Sequence, residues 1–416
     1  MLTYIISFFF LFVNSMPAEH GKVNNLNIVK KYLVFFSDAW YAFCSIFEEG
    51  CSVRTAGIFE IPNLRPLGRF CGDLAERAGV LPLFWAGSGL ELRFTGSELH
   101  LLLEADFGGT EPWIAVEVDG APLIRMPLNR GINDVCVLRG VPEGRARHVH
   151  MVKECQPMAD DPRHRLWVRE LRWEGGEFLP LPDAAYRLEF VGDSLTSGEG
   201  VVGAVQEDAW VPAVFSASGT WAIRAAAALD AQARIISQSG WGVRSGWDND
   251  PRHALPDWYE RVCGPAMGEA DRALGAQKEN DFASWRPHAV IVNLGTNDAG
   301  AMNNATWEGA GGPFRQERSP EGLRALEDAA GAFLRKLRRY NPEAKLVWAY
   351  GMAEDGLRPQ LERAVARYRE ETGDREAYYL PLPVVRPETM GSRQHPGLLC
   401  HMEAAQATAA FLRSIL

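Results

Sequence analysis

The chain reads YRLEFVGDSL over residues 186–195, and this stretch decides the fold. Its first six residues form a run of strand length, and the glycine that follows permits a tight turn. Such a turn lifts the hydroxyl of Ser194 out of the edge of a sheet. A lone G-D-S tripeptide is more often a polar turn, so its meaning depends on the rest of the chain.

Further strand-like runs follow this one, and stretches with helical periodicity separate them. Strands are predicted at 186–191, 233–236, 289–294 and 345–349, and helices at 221–229, 320–339, 358–371 and 403–416. Alternating strands and helices predict a parallel sheet covered by helices on both faces. In such sheets ligands bind at the carboxyl ends of the strands, so functional residues are expected there.

The region before this sheet has a different period. Short runs that alternate apolar and polar residues predict strands at 90–94, 99–104, 113–118, 134–138, 148–152 and 166–173, with turn residues between them. This pattern predicts an all-β sandwich. Pro180, Pro182 and Asp183 then form a short linker. We therefore predict a β domain at 56–180 and an α/β domain at 184–416.

Residues 1–55 are predicted to be a separate segment, either signal-like or foreign to the mature protein. The apolar run at 4–13 is too short to span a bilayer, and no lysine or arginine precedes it. The composition of this segment also differs from the remainder, because it is rich in Phe, Asn and Lys. No stable membrane span is expected, and the compartment, cytoplasmic or secreted, stays open.

The overall charge argues against nucleic acid as a partner. The chain carries 43 basic and 53 acidic residues, a formal net charge of -10, so a footprint for a phosphate backbone is absent. Its seven cysteines show no C-x-x-C pair and no metal-ligand spacing, which predicts no structural zinc. The oligomeric state cannot be predicted from these features.

Three more motifs lie at strand ends or before the closing helix. Gly240 follows the strand at 233–236, and Asn297 follows the strand at 289–294. A backbone N–H and a side-chain amide in these places could stabilise the oxyanion of an acyl-transfer intermediate. A serine hydroxyl also needs a base near it, and His395 is the best-placed imidazole.

These four motifs occur in the order of the SGNH (GDSL) hydrolases, which the chain resembles. Ser194 matches the nucleophile block, Gly240 and Asn297 match the oxyanion blocks, and His395 matches the histidine block. Over roughly residues 60–416 the chain resembles carbohydrate esterase family two, which joins a jelly-roll domain to an SGNH domain. The resemblance implies a flavodoxin-like three-layer α/β/α fold.

It also implies a serine esterase that removes O-acetyl groups from carbohydrate, such as acetyl xylan, without cofactor or metal. Ser194 would be the nucleophile, His395 the base, and Ser194, Gly240 and Asn297 the oxyanion hole. Trp241 and Trp307 are candidate substrate contacts, because tryptophan faces stack on sugar rings, although most tryptophans are packing residues.

One departure from the family pattern concerns the third member of the triad. The usual aspartate three residues before the histidine is replaced by Ser392. Either a backbone carbonyl steadies a Ser-His dyad, or a carboxylate comes from elsewhere, with Glu388 as a weak candidate. Some members of the carbohydrate esterase family resemble this chain in lacking the aspartate.

Other functions remain as alternatives. A non-catalytic carbohydrate-binding protein with a degenerate SGNH domain is one, and an SGNH lipase or thioesterase is another. The run at 198–203 also matches the dinucleotide fingerprint G-x-G-x-x-G, but no helix opens at its last glycine, which argues against that function.

Overall fold

The computed structural model describes residues 53–416, which form one structural unit. The predicted signal-like run at 4–13, and all but the end of the predicted segment 1–55, lie outside these residues. None of the helices in the described part is long and apolar enough to cross a membrane.

Two antiparallel sheets form the first part of the described chain. The strands are β1 (Val53–Gly57), β2 (Arg65–Leu67), β3 (Leu81–Pro82), β4 (Gly89–Phe94), β5 (Glu98–Asp106), β6 (Trp113–Val118), β7 (Ala121–Pro127), β8 (Gly131–Leu138), β9 (Arg147–Lys153), β10 (Arg165–Glu174) and β11 (Phe178–Leu179). One sheet has the order β1-β10-β5-β8, with β3 beside β10, and the other has the order β11-β4-β9-β6-β7, with β2 beside β4. A short helix, α1 (Gly72–Ala78), lies between β2 and β3.

Alternation along these strands builds the core of the sandwich. Leu99, Leu101 and Leu103 of β5 face inward and are fully buried, as are Leu90 and Leu92 of β4 on the other sheet. Residues at every second position of a strand share a face, so each sheet presents one apolar side to the other. The predicted jelly-roll fold is confirmed.

A parallel sheet of five strands forms the second part. Its strands are β12 (Tyr186–Gly192), β13 (Ala231–Ser237), β14 (Ala289–Asn293), β15 (Lys345–Met352) and β16 (Ala377–Val384), in the order β13-β12-β14-β15-β16. This 2-1-3-4-5 order is the flavodoxin-like one, and its ligand site lies where the order reverses, beside the first strand. The turn that carries Ser194 follows that strand, so the sheet order places the serine at the switch point.

Helices cover both faces of this sheet. They are α2 (Ser194–Ser197), α3 (Trp221–Ala227), α4 (Glu269–Ala273), α5 (Thr296–Ala301), α6 (Pro320–Tyr340), α7 (Arg358–Thr372) and α8 (Leu398–Arg413). Phe333 of α6 packs in one apolar cluster with Trp348 of β15, while Trp221 of α3 packs with Phe190 of β12 in another. The predicted three-layer α/β fold is confirmed.

Some predicted boundaries are wrong. The last helix begins at Leu398, five residues before the predicted start at 403, and β16 was not predicted. Pro381 and Pro383 in β16 have no N–H to donate to a neighbouring strand, so this stretch of the sequence does not have the pattern of a strand. β16 is an edge strand, so its prolines are tolerated.

Candidate active site

Ser194 is the first residue of α2, directly after β12. The carboxylate of Asp193 caps this short helix by accepting a hydrogen bond from the Leu195 N–H. The Ser194 side chain is largely buried, at 5% exposure, and its Oγ lies 3.0 Å from Nε2 of His395. The two residues are 201 positions apart in the sequence, so only the fold brings them into hydrogen-bond distance.

A backbone carbonyl orients the imidazole of His395. Nδ1 lies 2.8 Å from the carbonyl oxygen of Arg393, and since that oxygen can only accept, Nδ1 carries the proton. Nε2 is then free to accept the proton of Ser194. Arg393 and Gln394 have φ of 58° and 55°, a left-handed conformation that is uncommon outside glycine. This turn directs the Arg393 carbonyl at the ring.

The residue in the place of the usual aspartate does not contact the imidazole. Ser392 is fully buried, and its hydroxyl donates to the carbonyl oxygen of Val202 at 2.7 Å. Glu388, the carboxylate considered from the sequence, is wrong as a third member, because it is exposed and accepts from Arg386 at 2.8 Å. Of the two predicted possibilities, the dyad with a backbone carbonyl is the one present.

The glycine-rich run at 198–203 serves the histidine rather than a dinucleotide. A Cβ on Gly200 would lie 2.4 Å from Cβ of His395, and one on Gly203 would lie 3.1 Å from Oγ of Ser392. These glycines therefore let the two segments approach closely. No α-helix opens at the run's end, since the next helical residues among those described are a 3-10 turn at Pro212–Val214.

The three predicted oxyanion donors follow the carboxyl ends of β12, β13 and β14: Ser194 begins α2, Gly240 lies on a loop, and Asn297 lies in the first turn of α5. The N–H groups of Ser194 and Gly240 have no backbone hydrogen-bond acceptor within residues 53–416. Gly240 has φ of 79°, which suits glycine. The amide of Asn297 donates to the carbonyl of Trp241 at 2.9 Å and to Asp193 at 3.2 Å. Asn297 thus ties the Gly240 loop to the turn of the nucleophile.

Two buried carboxylates hold these loops. Burial raises the pKa of Asp193 to about 7 and also raises the pKa of Asp298. Asp298 accepts from the backbone N–H groups of Val243 and Arg244 at 2.8 and 3.0 Å, and from the Gln316 amide at 2.9 Å. Asp298 directly follows the predicted donor Asn297, whereas Gln316 was not predicted, because it lies on a loop without a recognisable sequence pattern.

A cavity of about 560 Å³ opens beside Gly240, and both parts of the chain line it. The β-rich part contributes residues 108–110, Gln156 and residues 158–161, and the α/β part contributes residues 238–241 among others. This volume lies within the range of small-molecule sites. Gln156, which sequence analysis did not single out, accepts from the Ser239 N–H at 2.7 Å.

The two tryptophans predicted to contact substrate occupy different places. Trp241 lines the cavity, but it is only 5% exposed and stacks on His253 with ring centres 5.1 Å apart. Trp307 is not among the described residues that line the cavity, and the Arg252 guanidinium lies over its ring. Trp247, which also lines the cavity, is 55% exposed and so presents more aromatic surface.

One cluster near the cavity has the composition of a metal site. Asp248, Asp250 and His253 place three potential ligand atoms within 4.8 Å of one another. The guanidinium of Arg252 already pairs with both carboxylate oxygens of Asp250. That pairing competes directly with a cation for the one buried carboxylate of the cluster.

Comparisons with known proteins identify the family of the chain. The model of the GDSL-like lipase/acylhydrolase family matches residues 190–394. An acetyl xylan esterase from the rumen bacterium Butyrivibrio proteoclasticus is 38% identical, with a TM-score of 0.84 over 87% of this chain and 98% of that one. The chain belongs to the SGNH (GDSL) hydrolase family.

Two more distant relatives each match most of this chain. A family two carbohydrate esterase from Clostridium thermocellum, solved with cellohexaose, is 24% identical and has the same fold, with a TM-score of 0.70 over 84% of this chain and 98% of that one. The cellulase/esterase CelE of Acetivibrio thermocellus is 26% identical over 85% of this chain, which spans 40% of that relative's length. The predicted family and fold are confirmed, and the predicted ester hydrolase function agrees with these relatives.

Proposed function

We propose that this SGNH protein is a serine esterase that removes O-acetyl groups from carbohydrate. The observation that carries the proposal is the 3.0 Å contact between Ser194 Oγ and His395 Nε2, with the Nδ1 proton held by a carbonyl. An oriented imidazole next to a serine hydroxyl is the arrangement that activates a serine nucleophile. The similarity to an acetyl xylan esterase supports acetylated carbohydrate as the substrate.

The proposed reaction begins with transfer of the Ser194 proton to His395 Nε2 as Oγ attacks the acetyl carbonyl carbon. The carbonyl oxygen becomes an oxyanion, which the N–H groups of Ser194 and Gly240 stabilise; the Asn297 amide joins them by exchanging its 3.2 Å hydrogen bond to Asp193 for one to the oxyanion. The tetrahedral intermediate collapses, His395 gives the proton to the departing sugar oxygen, which leaves as a hydroxyl, and an acetyl-enzyme remains. Water, deprotonated by His395, then releases acetate by the same steps.

The test compares acetate release from acetylated xylan and hydrolysis of 4-nitrophenyl acetate by the wild type, Ser194→Ala and His395→Ala. Both variants should lose about 10³-fold or more in kcat, since they remove the nucleophile or its base. Ser414→Ala and His288→Ala are matched controls, because Ser414 follows α8 and donates to the Phe411 carbonyl, and His288 accepts from the N–H of Arg187 at the start of β12, the end opposite Ser194.

Each alternative function has its own outcome in this experiment. A wild type that hydrolyses no ester yet binds xylan would favour the non-catalytic carbohydrate-binding protein. A wild type that prefers 4-nitrophenyl esters of long fatty acids to the acetate would favour a lipase. Either result would reject the proposed deacetylase.

A further inference from the structure

Arg393, two residues before the proposed catalytic histidine, is held by four hydrogen bonds. Its N–H donates to the carbonyl of Glu207 at 2.7 Å, and its carbonyl accepts from His395 Nδ1. Its guanidinium donates from Nη1 to the carbonyl of Asp208 and from Nε to the carboxylate of Glu199 at 3.2 Å. The residue thus links the histidine to the segment that follows the nucleophile.

Glu199 is a buried carboxylate, at 3% exposure, on the turn that follows α2. Its Oε1 lies 3.2 Å from Arg393 Nε and 3.9 Å from His395 Nε2, and its own N–H donates to the carbonyl of Ser194 at 3.0 Å. A charged group with so little solvent around it is retained only with compensating partners. Arg393 is the partner that this contact network provides.

A dyad needs a substitute for the role of the usual aspartate. In a complete triad the carboxylate holds the imidazole in one orientation and stabilises its cation. A neutral carbonyl accepts a weaker hydrogen bond from the cation than a carboxylate does, and here it belongs to a residue with positive φ. Without the side-chain contacts of Arg393, nothing in this segment's own conformational preference would keep the carbonyl aimed at the ring.

We propose that Glu199 is a positioning residue that compensates for the missing aspartate by holding Arg393, whose carbonyl orients His395. The inference rests on the proposed esterase function. The carboxylate that replaces the aspartate in this role then lies on the turn after Ser194, not in the segment that carries His395. It predicts that Glu199 and Arg393 act as one unit in catalysis.

The test is a double-mutant cycle of Glu199→Gln and Arg393→Ala, read by kcat and KM for 4-nitrophenyl acetate. Each single variant should lose about 10-fold to 100-fold in kcat/KM, mainly in kcat, and the double variant should lose no more than about threefold beyond the worse single one. Glu403→Gln, which breaks another carboxylate–arginine pair next to this segment, should leave both kcat and KM unchanged.

Losses that multiply in the double variant, or losses that fall on KM instead of kcat, would overturn the inference. If Glu199→Gln does not fold, Arg393→Lys provides a second test, because it keeps the positive charge that Arg393→Ala removes. It should retain more activity than Arg393→Ala, and equal losses would count against the link. A failure of the esterase proposal looks different, since then the wild type would hydrolyse no ester or would not depend on Ser194.

Discussion

At the scale of the residue, the site shows how the proposed catalytic histidine is held without an aspartate. His395 donates from Nδ1 to a backbone carbonyl, and the hydroxyl of Ser392, in the aspartate's place, points to Val202 instead. The hydroxyl is a donor in this contact. A carboxylate at position 392 could only accept, so its oxygens would face the Val202 carbonyl oxygen, which is also an acceptor.

We therefore expect Ser392→Asp to damage the protein rather than complete its triad. The new carboxylate would be fully buried beside the Val202 carbonyl, so the free energy of unfolding should fall by about 2–5 kcal/mol, with no gain in kcat. Urea unfolding and hydrolysis of 4-nitrophenyl acetate measure the two effects. Ser392→Ala, which only loses a hydrogen bond, should cost about 1 kcal/mol. A rise in kcat for Ser392→Asp would show that the aspartate can reach the ring.

At the scale of the element, the loops at the carboxyl ends of the parallel strands hold the donors. The loop after β13, which carries Gly240, is fixed from two sides. Asp298 accepts from its backbone at Val243 and Arg244, and Gln156, which follows β9 of the sandwich, accepts from Ser239. A residue of the β-rich part, Gln156, therefore helps to position the Gly240 loop of the α/β part.

Gln156→Ala should lower kcat/KM for 4-nitrophenyl acetate by about tenfold, equivalent to about 1.4 kcal/mol of transition-state stabilisation. The reason is that Ser239 loses the acceptor of its N–H one residue before Gly240. Gln360→Ala is the matched control, since this glutamine lies on α7 and does not line the cavity. Equal rates for the wild type and Gln156→Ala would mean that the β-rich part is not needed to fix the oxyanion loop.

At the scale of the whole molecule, a buried polar cluster joins the sandwich to the parallel sheet. Arg69, which follows β2, donates to both carboxylate oxygens of Glu189 on β12 at 3.1 Å and to the carbonyl of Tyr259 at 2.6 Å. The Tyr259 hydroxyl completes the cluster by donating to Glu189 at 2.6 Å. The Arg69–Glu189 pair is almost fully buried, so removing one residue leaves the charge of the other buried without a partner or solvent.

Arg69→Met should therefore lower the free energy of unfolding by about 3–5 kcal/mol in a single urea transition, because Glu189 is left unpaired. Arg69→Met with Glu189→Gln should regain part of this loss, since the buried charge is then gone. Arg363→Met breaks a pair with Glu327 in which the arginine is 57% exposed, and should cost less than about 1 kcal/mol. If Arg69→Met is as mild as Arg363→Met, the buried pair does not hold the two parts together.

How far the sequence predicted the site can be judged from its individual residues. The sequence predicted Ser194, Gly240 and Asn297 as site residues because each belongs to a short motif at the end of a recognisable strand, where parallel sheets bind ligands. Glu388 was chosen for its closeness in sequence to His395, and it pairs with Arg386 instead. The carbonyl of Arg393 could not be found, because any residue has a carbonyl and only its conformation directs it.

The two kinds of sheet, their order along the chain and the residue types of the proposed reaction centre could be predicted from the sequence. Periodicity and turn residues are local properties, so neighbouring positions carry them. What holds the histidine, which residue supports the Gly240 loop and where the two parts join could be seen only in the folded chain. Contacts such as Gln156 with Ser239, or Arg69 with Glu189, depend on the packing of segments far apart in the chain, and no local pattern encodes them.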